Sequence, residues 1–168
     1  GCDWATDKTI WSSSVSAEHQ PGAQGAERRA PEHDAERYLA AYAGAIRAIA
    51  ASASGRSALQ DGPTGADGIS IKLSALFSRY EELQRERVEA ELLPRVWKLV
   101  ALAAEANLNL TIDAEEVDRL ELSLDVFEAL ARRIATDYPR WSGFGLAVQA
   151  YQTRALGVVD EVARIART

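Results

Sequence analysis

The sequence predicts an α/β protein in which parallel strands form part of a (β/α)8 barrel. Three observations carry this prediction. Helical and strand patterns alternate along the chain, and each predicted strand has one bulky apolar face and one small or polar face. The 168 residues also fall short of the roughly 250 that a closed barrel of this kind usually needs. Alternation of this kind requires parallel strands joined by right-handed crossovers.

Residues 1–33 are predicted to form an unstructured leader, and residues 34–168 the folded domain. The leader contains the runs SSS at 12–14, QPG at 20–22 and QGA at 24–26, which are typical of turns and linkers, and it has neither helical nor strand periodicity. From Asp34 onward apolar residues recur at spacings of three or four, which predicts a helix ending near Gly55. Its apolar stripe consists of Leu39, Tyr42, Ile46 and Ile49.

Three strands are predicted, at 69–74, 109–113 and 144–149. In each, bulky apolar residues alternate with small or polar ones, which is the period of a strand. The small or polar positions are Ser70, Lys72, Ser74, Asn109, Thr111, Asp113, Gly145, Ala147 and Gln149. A parallel sheet covered by helices on both faces should be apolar on both, so this pattern favours a barrel whose lumen is polar.

The alternative is a doubly wound sheet with Lys72 near an edge and Asp113 as the N-cap of a helix.

Helices are predicted at 80–107, at 120–134 and from Thr153 onward, and Pro94 should kink the first or start its second half. The residues expected to face inward are Val88, Leu92, Val96, Leu99 and Leu102 in the first helix, and Leu156, Val159, Val162 and Ile165 in the last.

Composition excludes several classes of function. The net charge of −6 disfavours binding to a phosphate backbone, so no nucleic-acid partner is expected for this segment. No apolar run approaches the length of a membrane span. A single cysteine, Cys2, cannot form an internal disulfide and fits a reducing compartment. Because the chain has no methionine, we expect it to have been either processed or cut from something longer, and the second is preferred.

The candidate site lies where predicted strands end. Active sites of (β/α)8 barrels lie at the carboxyl ends of the strands, where Asp113 and Gln149 fall. Glu115 and Glu116 follow Asp113 and could ligate a divalent metal, but stabilising the positive end of a helix is the commoner role and is preferred here. Neither histidine has a spaced partner, so no metal site is predicted.

Three segments carry a more specific pattern: GISIKLSAL at 68–76, IDAEE at 112–116, and WSGFG at 141–145 followed by VQAYQ at 148–152. In this order they resemble the second, third and fourth strands of the proline dehydrogenase (PRODH) domain of bifunctional proline utilisation A (PutA) proteins. The resemblance runs from about residue 34 to the end. It implies a partial TIM barrel, comprising strands 2–4 with their helices.

The resemblance also implies an activity: FAD-dependent oxidation of L-proline to 1-pyrroline-5-carboxylate in proline catabolism. Lys72 matches the lysine that clamps the substrate carboxylate, and Asp113 a carboxylate that holds the same polar network. Gln149 matches a side chain hydrogen-bonded to the isoalloxazine, with Ala147 beside it against the flavin. The family further implies a quinone or membrane electron acceptor. It also implies a cytoplasmic location, or one peripheral to the inner membrane in the full-length protein.

The sequence departs from the family pattern in ways that affect function. The family's first-strand motif is not found before residue 34, and the later strands have no counterpart. Open barrel edges would expose the lumen and allow self-association, so we expect the chain to be inactive alone. A non-catalytic remnant or interaction module derived from the barrel is the alternative. A lyase using Lys72 for Schiff-base chemistry is disfavoured, because no second lysine or clear general base flanks it.

Overall fold

A three-stranded parallel sheet lies at the centre of the computed structural model, which describes residues 32–53 and 67–167. Its strands are β1 (Gly68–Ile71), β2 (Asn109–Ile112) and β3 (Phe144–Leu146), side by side in chain order. Gly68 pairs with Asn109, where a Cβ on the glycine would lie 2.5 Å from the Cβ of its neighbour. The predicted alternation of helices with parallel strands is confirmed.

Along the chain, helices lie before, between and after these strands. They are α1 (Glu32–Ala53), α2 (Leu73–Leu76), α3 (Arg85–Arg87), α4 (Leu93–Glu105), α5 (Leu120–Asp137) and α6 (Ala155–Ile165). Short 3-10 turns precede α3 and α5, at Glu82–Gln84 and Val117–Arg119. None of the helices in the described ranges is both long enough and apolar enough to cross a membrane.

Pro94 lies in the first turn of α4. It therefore starts the second half of the helix predicted at 80–107, which was one of the two predicted outcomes. A π-helical segment, Val88–Leu92, joins α3 to α4 directly before it. Proline has no N–H and its ring clashes with the carbonyl four residues earlier, so a regular α-helix cannot pass through this position unchanged. The wider π turn is one of the recognised ways in which a helical hydrogen-bond ladder is interrupted.

The apolar face of the sheet forms the core. Ile71, Leu110 and Ile112 are completely buried there, against apolar side chains of α1, α4 and α5. Complete burial of one such aliphatic side chain stabilises a fold by about 1.5–3 kcal/mol. Phe144 adds a stacked contact with Phe127 of α5, at 4.8 Å between ring centroids. The predicted apolar parity of the three strands therefore matches the packed side.

The opposite face of the sheet is not packed in the same way. Ser70 is exposed, and Thr111 and Gly145 are half-buried, so this side is the more open of the two. Strands in the order β1-β2-β3 with crossovers of one hand carry both connecting helices on a single face. In the part of the chain that the structure describes, the sheet thus has one covered face and one open face.

All three strands end earlier than predicted, β2 by a single residue, at Ile112 rather than at Asp113. β1 ends at Ile71 rather than at Ser74, because the chain turns at Lys72 and Leu73 begins α2. β3 ends at Leu146 rather than at Gln149. Single hydrogen bonds continue the ladder a little further, since the amides of Asp113 and Ala147 donate to carbonyls at the ends of β1 and β2 at 2.9 Å.

The predicted inner face of α6 is wrong in part. Leu156 is 81% exposed and Val159 50% exposed, whereas Val158 and Ile165 are buried. Both sets recur at helical spacing, so periodicity alone could not decide which of them faces the core. Helix α1 begins two residues before the predicted start at Asp34. The predicted leader up to residue 31 and the helix end at Gly55 lie outside the described residues.

Candidate functional site

Lys72 and Asp113 lie together at the carboxyl ends of neighbouring strands. Lys72 directly follows β1 and Asp113 directly follows β2, and the parallel register brings Ile71 opposite Ile112. The Asp113 amide donates to the Ile71 carbonyl at 2.9 Å, which fixes the two strand ends relative to each other. As a result Lys72 Nζ lies 3.9 Å from Asp113 Oδ2.

The ion pair between Lys72 and Asp113 contributes little to the stability of the fold. The Lys72 side chain is 54% exposed and that of Asp113 38% exposed. Pairs in such a setting are screened by water and contribute about 0.2–1 kcal/mol to stability. The two opposite charges lie at the carboxyl ends of neighbouring strands, where the backbone fixes their positions and water can reach them. They are therefore available for contact with a charged ligand.

Ala147 and Gln149 follow the third strand and border a groove beside Asp113. The groove encloses about 470 Å³ of space, open solvent included, and is lined by the segments after β2 and β3. The Ala147 amide donates to the Ile112 carbonyl at 2.9 Å. Gln149 is half-buried, and its Oε1 accepts a hydrogen bond from Gln152 Nε2. The structure thus places Asp113, Ala147 and Gln149 on one groove, with Lys72 adjoining through Asp113.

The open face beside this groove carries small side chains. Gly145 and Ala147 are half-buried, and a Cβ at Gly145 would lie 3.6 Å from Thr111 Oγ1. The absence of bulk at these positions leaves space over the sheet for a flat ring. A primary amide such as that of Gln149 both donates and accepts hydrogen bonds, which suits a heterocycle with donors and acceptors on one edge. These residues fit a flavin ring in size and in hydrogen-bonding chemistry.

Glu115 stabilises the start of a helix, as the sequence predicted, but a different helix from the one expected. Its side chain is 5% exposed, and Oε1 accepts a 2.9 Å hydrogen bond from the Ser74 amide in the first turn of α2. Oε2 lies 3.6 Å from Arg119 Nη1. Glu115 therefore stabilises the start of a helix, as predicted, but that helix is α2 and not the one that follows it in sequence. Glu116 is exposed and pairs with Arg119 at 3.0 Å.

Two tyrosines near these contacts were not foreseen as part of the site. The Tyr42 hydroxyl, on α1, accepts a 3.3 Å hydrogen bond from the Lys72 amide. Burial raises the pKa of Tyr42, and the hydrogen bond from Lys72 opposes this in part. The Tyr80 hydroxyl lies 2.8 Å from Ser123 Oγ in the interior, and burial raises the pKa of Tyr80 further. Tyr42 fell in the predicted apolar stripe of α1, which gave no sign of a polar contact.

The fold and the groove together define an α/β protein whose ligand-facing groups stand at the carboxyl ends of parallel strands. Comparison with known proteins makes this class specific. The family model described as proline dehydrogenase matches residues 23–168, which is most of the chain. The chain belongs to the proline dehydrogenase family.

The relatives are bifunctional PutA proteins. That of Rhizobium meliloti is 49% identical over 134 residues, covering 80% of this chain and 10% of the relative. That of Escherichia coli strain K12 is 45% identical over 127 residues, covering 76% of this chain and 9% of the relative. This chain therefore matches only a small part of the curated relatives' length. The resemblance read from the three strand motifs is confirmed.

Solved structures agree with the sequence relatives. A crystal structure of a mutant proline utilisation A (PutA) from Bradyrhizobium japonicum is 47% identical, with a TM-score of 0.71 over 81% of this chain and 13% of that one. The protein from Bdellovibrio bacteriovorus, crystallised after inactivation by N-propargylglycine, has a TM-score of 0.72 over 84% of this chain and 15% of its own. Its identity is 22%, so it supports the fold alone.

Proposed function

We propose that this chain provides the substrate clamp and part of the flavin-binding wall of an FAD-dependent proline dehydrogenase. The reaction is oxidation of L-proline to 1-pyrroline-5-carboxylate in proline catabolism. The observation that carries the proposal is the placement of Lys72 Nζ 3.9 Å from Asp113 Oδ2, which lines the same groove as Gln149. Membership of the proline dehydrogenase family makes proline the natural substrate for this arrangement.

The proposal includes a (β/α)8 barrel, of which the described strands form one arc. Support comes from the sheet, whose three strands are parallel and in chain order and whose polar face is open while the other is packed. In a doubly wound sheet the strand order reverses so that helices cover both faces. A barrel turns the open face towards its lumen and places the site at the carboxyl ends of its strands.

Lys72 is proposed to bind the carboxylate of proline. An ammonium group at this strand end attracts the carboxylate and limits its orientation, which converts binding energy into positioning of the reacting C5 atom. Lysine acts as a compact point charge on a flexible stem, so its position has to be fixed by its neighbours. Asp113 is proposed to fix it, since it is close to Nζ and is itself attached to β1 through its amide.

Gln149 and Ala147 are proposed to face FAD. The Gln149 amide would hydrogen-bond to the edge of the isoalloxazine, and the small Ala147 side chain would let the ring lie close to the strand ends. When bound, the flavin supplies the acceptor for a hydride from proline C5, so the chemistry belongs to the cofactor and its positioning to the protein. A quinone or membrane acceptor for the electrons is proposed from the family, with a cytoplasmic or inner-membrane-peripheral location.

A second candidate is a non-catalytic interaction module. In the described part of the chain, β1 and β3 each have one strand neighbour only, and α6 exposes Leu156 and Val159. Exposed strand edges and apolar side chains favour association with another polypeptide or with a second copy. The two candidates differ in what they require of Lys72: a clamp needs its charge, whereas an association surface made of edges and α6 does not.

The decisive experiment places this chain in a complete enzyme. We would replace the matched 127 residues of E. coli PutA with the corresponding residues of this chain and call the product the exchange enzyme. The exchange enzyme is expected to oxidise proline with a dye as electron acceptor. Lys72→Met keeps the length of the side chain and removes its charge, and should raise KM for proline about 10–100-fold, the loss of a charge-assisted contact of about 1.5–3 kcal/mol.

A matched control is Lys98→Met, which makes the same change in α4, away from the groove. It should leave KM unchanged. An exchange enzyme that binds flavin but does not oxidise proline would contradict the proposed function and favour the interaction module. Equal effects of the two lysine substitutions would contradict the proposed role of Lys72 while leaving the family assignment intact.

A further inference from the structure

The hydroxyl of Tyr42 reaches the backbone of Lys72 from a different element. Tyr42 belongs to α1 and Lys72 to the junction of β1 with α2, 30 positions later in the chain. Lys72 has extended backbone angles, φ −101° and ψ 127°, and lies after the last residue of β1 and before the first of α2. Its amide donates to the Tyr42 hydroxyl at 3.3 Å.

A second side chain holds the same junction from the other side. Glu115 Oε1 accepts the Ser74 amide at 2.9 Å, two residues beyond Lys72. The peptide that carries the Lys72 side chain is therefore held between α1 and the segment after β2. Of these two supports, Tyr42 acts on the Lys72 amide itself.

Packing alone does not require a hydroxyl at position 42. The Tyr42 ring is half-buried in the apolar stripe of α1, a position that phenylalanine would fill equally well. The hydroxyl accepts a hydrogen bond from the Lys72 amide, a contact that phenylalanine could not make. A tyrosine hydroxyl is uncharged at neutral pH, and burial raises the pKa of Tyr42 further, so the hydroxyl serves as a neutral acceptor.

We propose that Tyr42 is a positioning residue for Lys72: its hydroxyl fixes the peptide from which the ammonium group projects, so that Nζ stays beside Asp113 in the place where a carboxylate binds. The inference rests on the proposed function, because it needs Lys72 to bind substrate. It adds helix α1 to the elements that build the site. Neither the sequence pattern nor the family match assigned this residue a role.

The kinetic test uses Tyr42→Phe in the exchange enzyme. Losing one neutral hydrogen bond that orients a binding group should raise KM for proline about fivefold and change kcat less than about twofold. Tyr38→Phe is the matched control, since it removes a hydroxyl from the preceding turn of the same helix. It should change neither constant. An unchanged KM in Tyr42→Phe would overturn the inference.

A double substitution separates positioning from general stability. If Tyr42 acts through the Lys72 ammonium, then Tyr42→Phe should not raise KM further when Lys72 is already methionine. A purely structural role would multiply the two effects, and this result would overturn the inference. If Lys72→Met alone leaves KM unchanged, the proposed clamp fails and the inference fails with it. If only Tyr42→Phe lacks an effect, the inference alone fails.

Hydrogen exchange tests the contact without any catalytic activity. In the full 168-residue chain, the Lys72 amide should exchange at least about threefold faster in Tyr42→Phe than in the parent, because it loses its acceptor. Tyr38→Phe should exchange like the parent at this site. Faster exchange confined to Tyr42→Phe supports the contact even if the exchange enzyme does not assemble. Equal exchange in all three proteins would overturn it.

Discussion

At the scale of single residues, the site depends on where the strands stop. Lys72 and Asp113 each occupy the first position beyond a strand, where the side chain is no longer confined between neighbouring strands. The backbone at both positions is nevertheless fixed, by the Tyr42 hydroxyl and by the ladder bond to Ile71. A rigid peptide with an exposed charge is a suitable arrangement for binding a small zwitterion.

Asp113→Asn tests whether the carboxylate holds Lys72. The substitution keeps the shape and removes the charge, so we expect KM for proline in the exchange enzyme to rise about 1.4- to fivefold, in line with an ion pair of about 0.2–1 kcal/mol. Thermal stability should hardly change, because both side chains are exposed in part. Asp137→Asn on α5 is a control of the same chemistry. A lower KM in Asp113→Asn would mean that the carboxylate repels the substrate.

The sequence predicted part of this site for a physical reason. Strand parity is a local property, and it put Lys72, Asp113 and Gln149 towards the carboxyl ends of the sheet, although each strand ends earlier than predicted. The contacts of Tyr42 and Glu115 join residues 30 and 41 positions apart, and local patterns contain no information about them. Glu115 could be assigned to a helix end by its charge, but not to the right helix.

At the scale of elements, Glu115 connects α2 to the segment after β2. Helix α2 has only four residues, too few to be stable by its own hydrogen bonds. It is held by its buried residues Leu73 and Leu76 and by the Glu115 carboxylate at the Ser74 amide. The position of Lys72, directly before α2, therefore depends on a contact with the neighbouring βα unit.

Glu115→Ala should destabilise the chain. The substitution removes a charge-assisted hydrogen bond and leaves Arg119 with one carboxylate fewer, at a cost of about 1.5–3 kcal/mol. Glu116→Ala removes the exposed partner of the same arginine and should cost less than about 1 kcal/mol. Urea unfolding of the two variants measures the difference. Equal losses would show that burial at Glu115 adds nothing to the bond.

Tyr80 should make the fold sensitive to alkaline pH. It joins the loop after α2 to α5 through Ser123, and burial raises its pKa in the folded chain. A tyrosine in the unfolded chain ionises near pH 10, below the raised pKa of the folded state. The contribution of Tyr80 to the free energy of unfolding is therefore complete below pH 10 and declines above it by up to about 1.4 kcal/mol per pH unit. The free energy of unfolding, measured with urea at several pH values between 8 and 11, should fall less steeply with pH in Tyr80→Phe than in the parent chain. Parallel slopes would contradict the assignment.

At the scale of the whole molecule, packing decided what periodicity left open. The apolar parity of the strands identified the covered face, because a strand has only two faces and one of them was bulky in all three. Helix α6 has apolar residues on more than one side, so its contacts with the rest of the fold selected Val158 and Ile165 over Leu156 and Val159. The exposed side of α6 and the two edge strands leave the described sheet accessible to further polypeptide.

The 168-residue chain by itself should bind flavin poorly. Its groove is lined by the segments after β2 and β3 and by residues of α5 and α6, and the face carrying Ser70 and Thr111 is open to water, so few of the contacts that surround a cofactor in a closed barrel are available. We expect the chain, mixed with FAD and passed through a desalting column, to retain less than a tenth of an equivalent, and no bleaching with L-proline under anaerobic conditions. The exchange enzyme, treated identically, is the positive control. Retained flavin that bleaches with proline would contradict this prediction, and sedimentation would then distinguish a self-associated site from one formed by a single chain. Retained flavin without bleaching would instead separate cofactor binding from the substrate clamp and direct attention to Lys72.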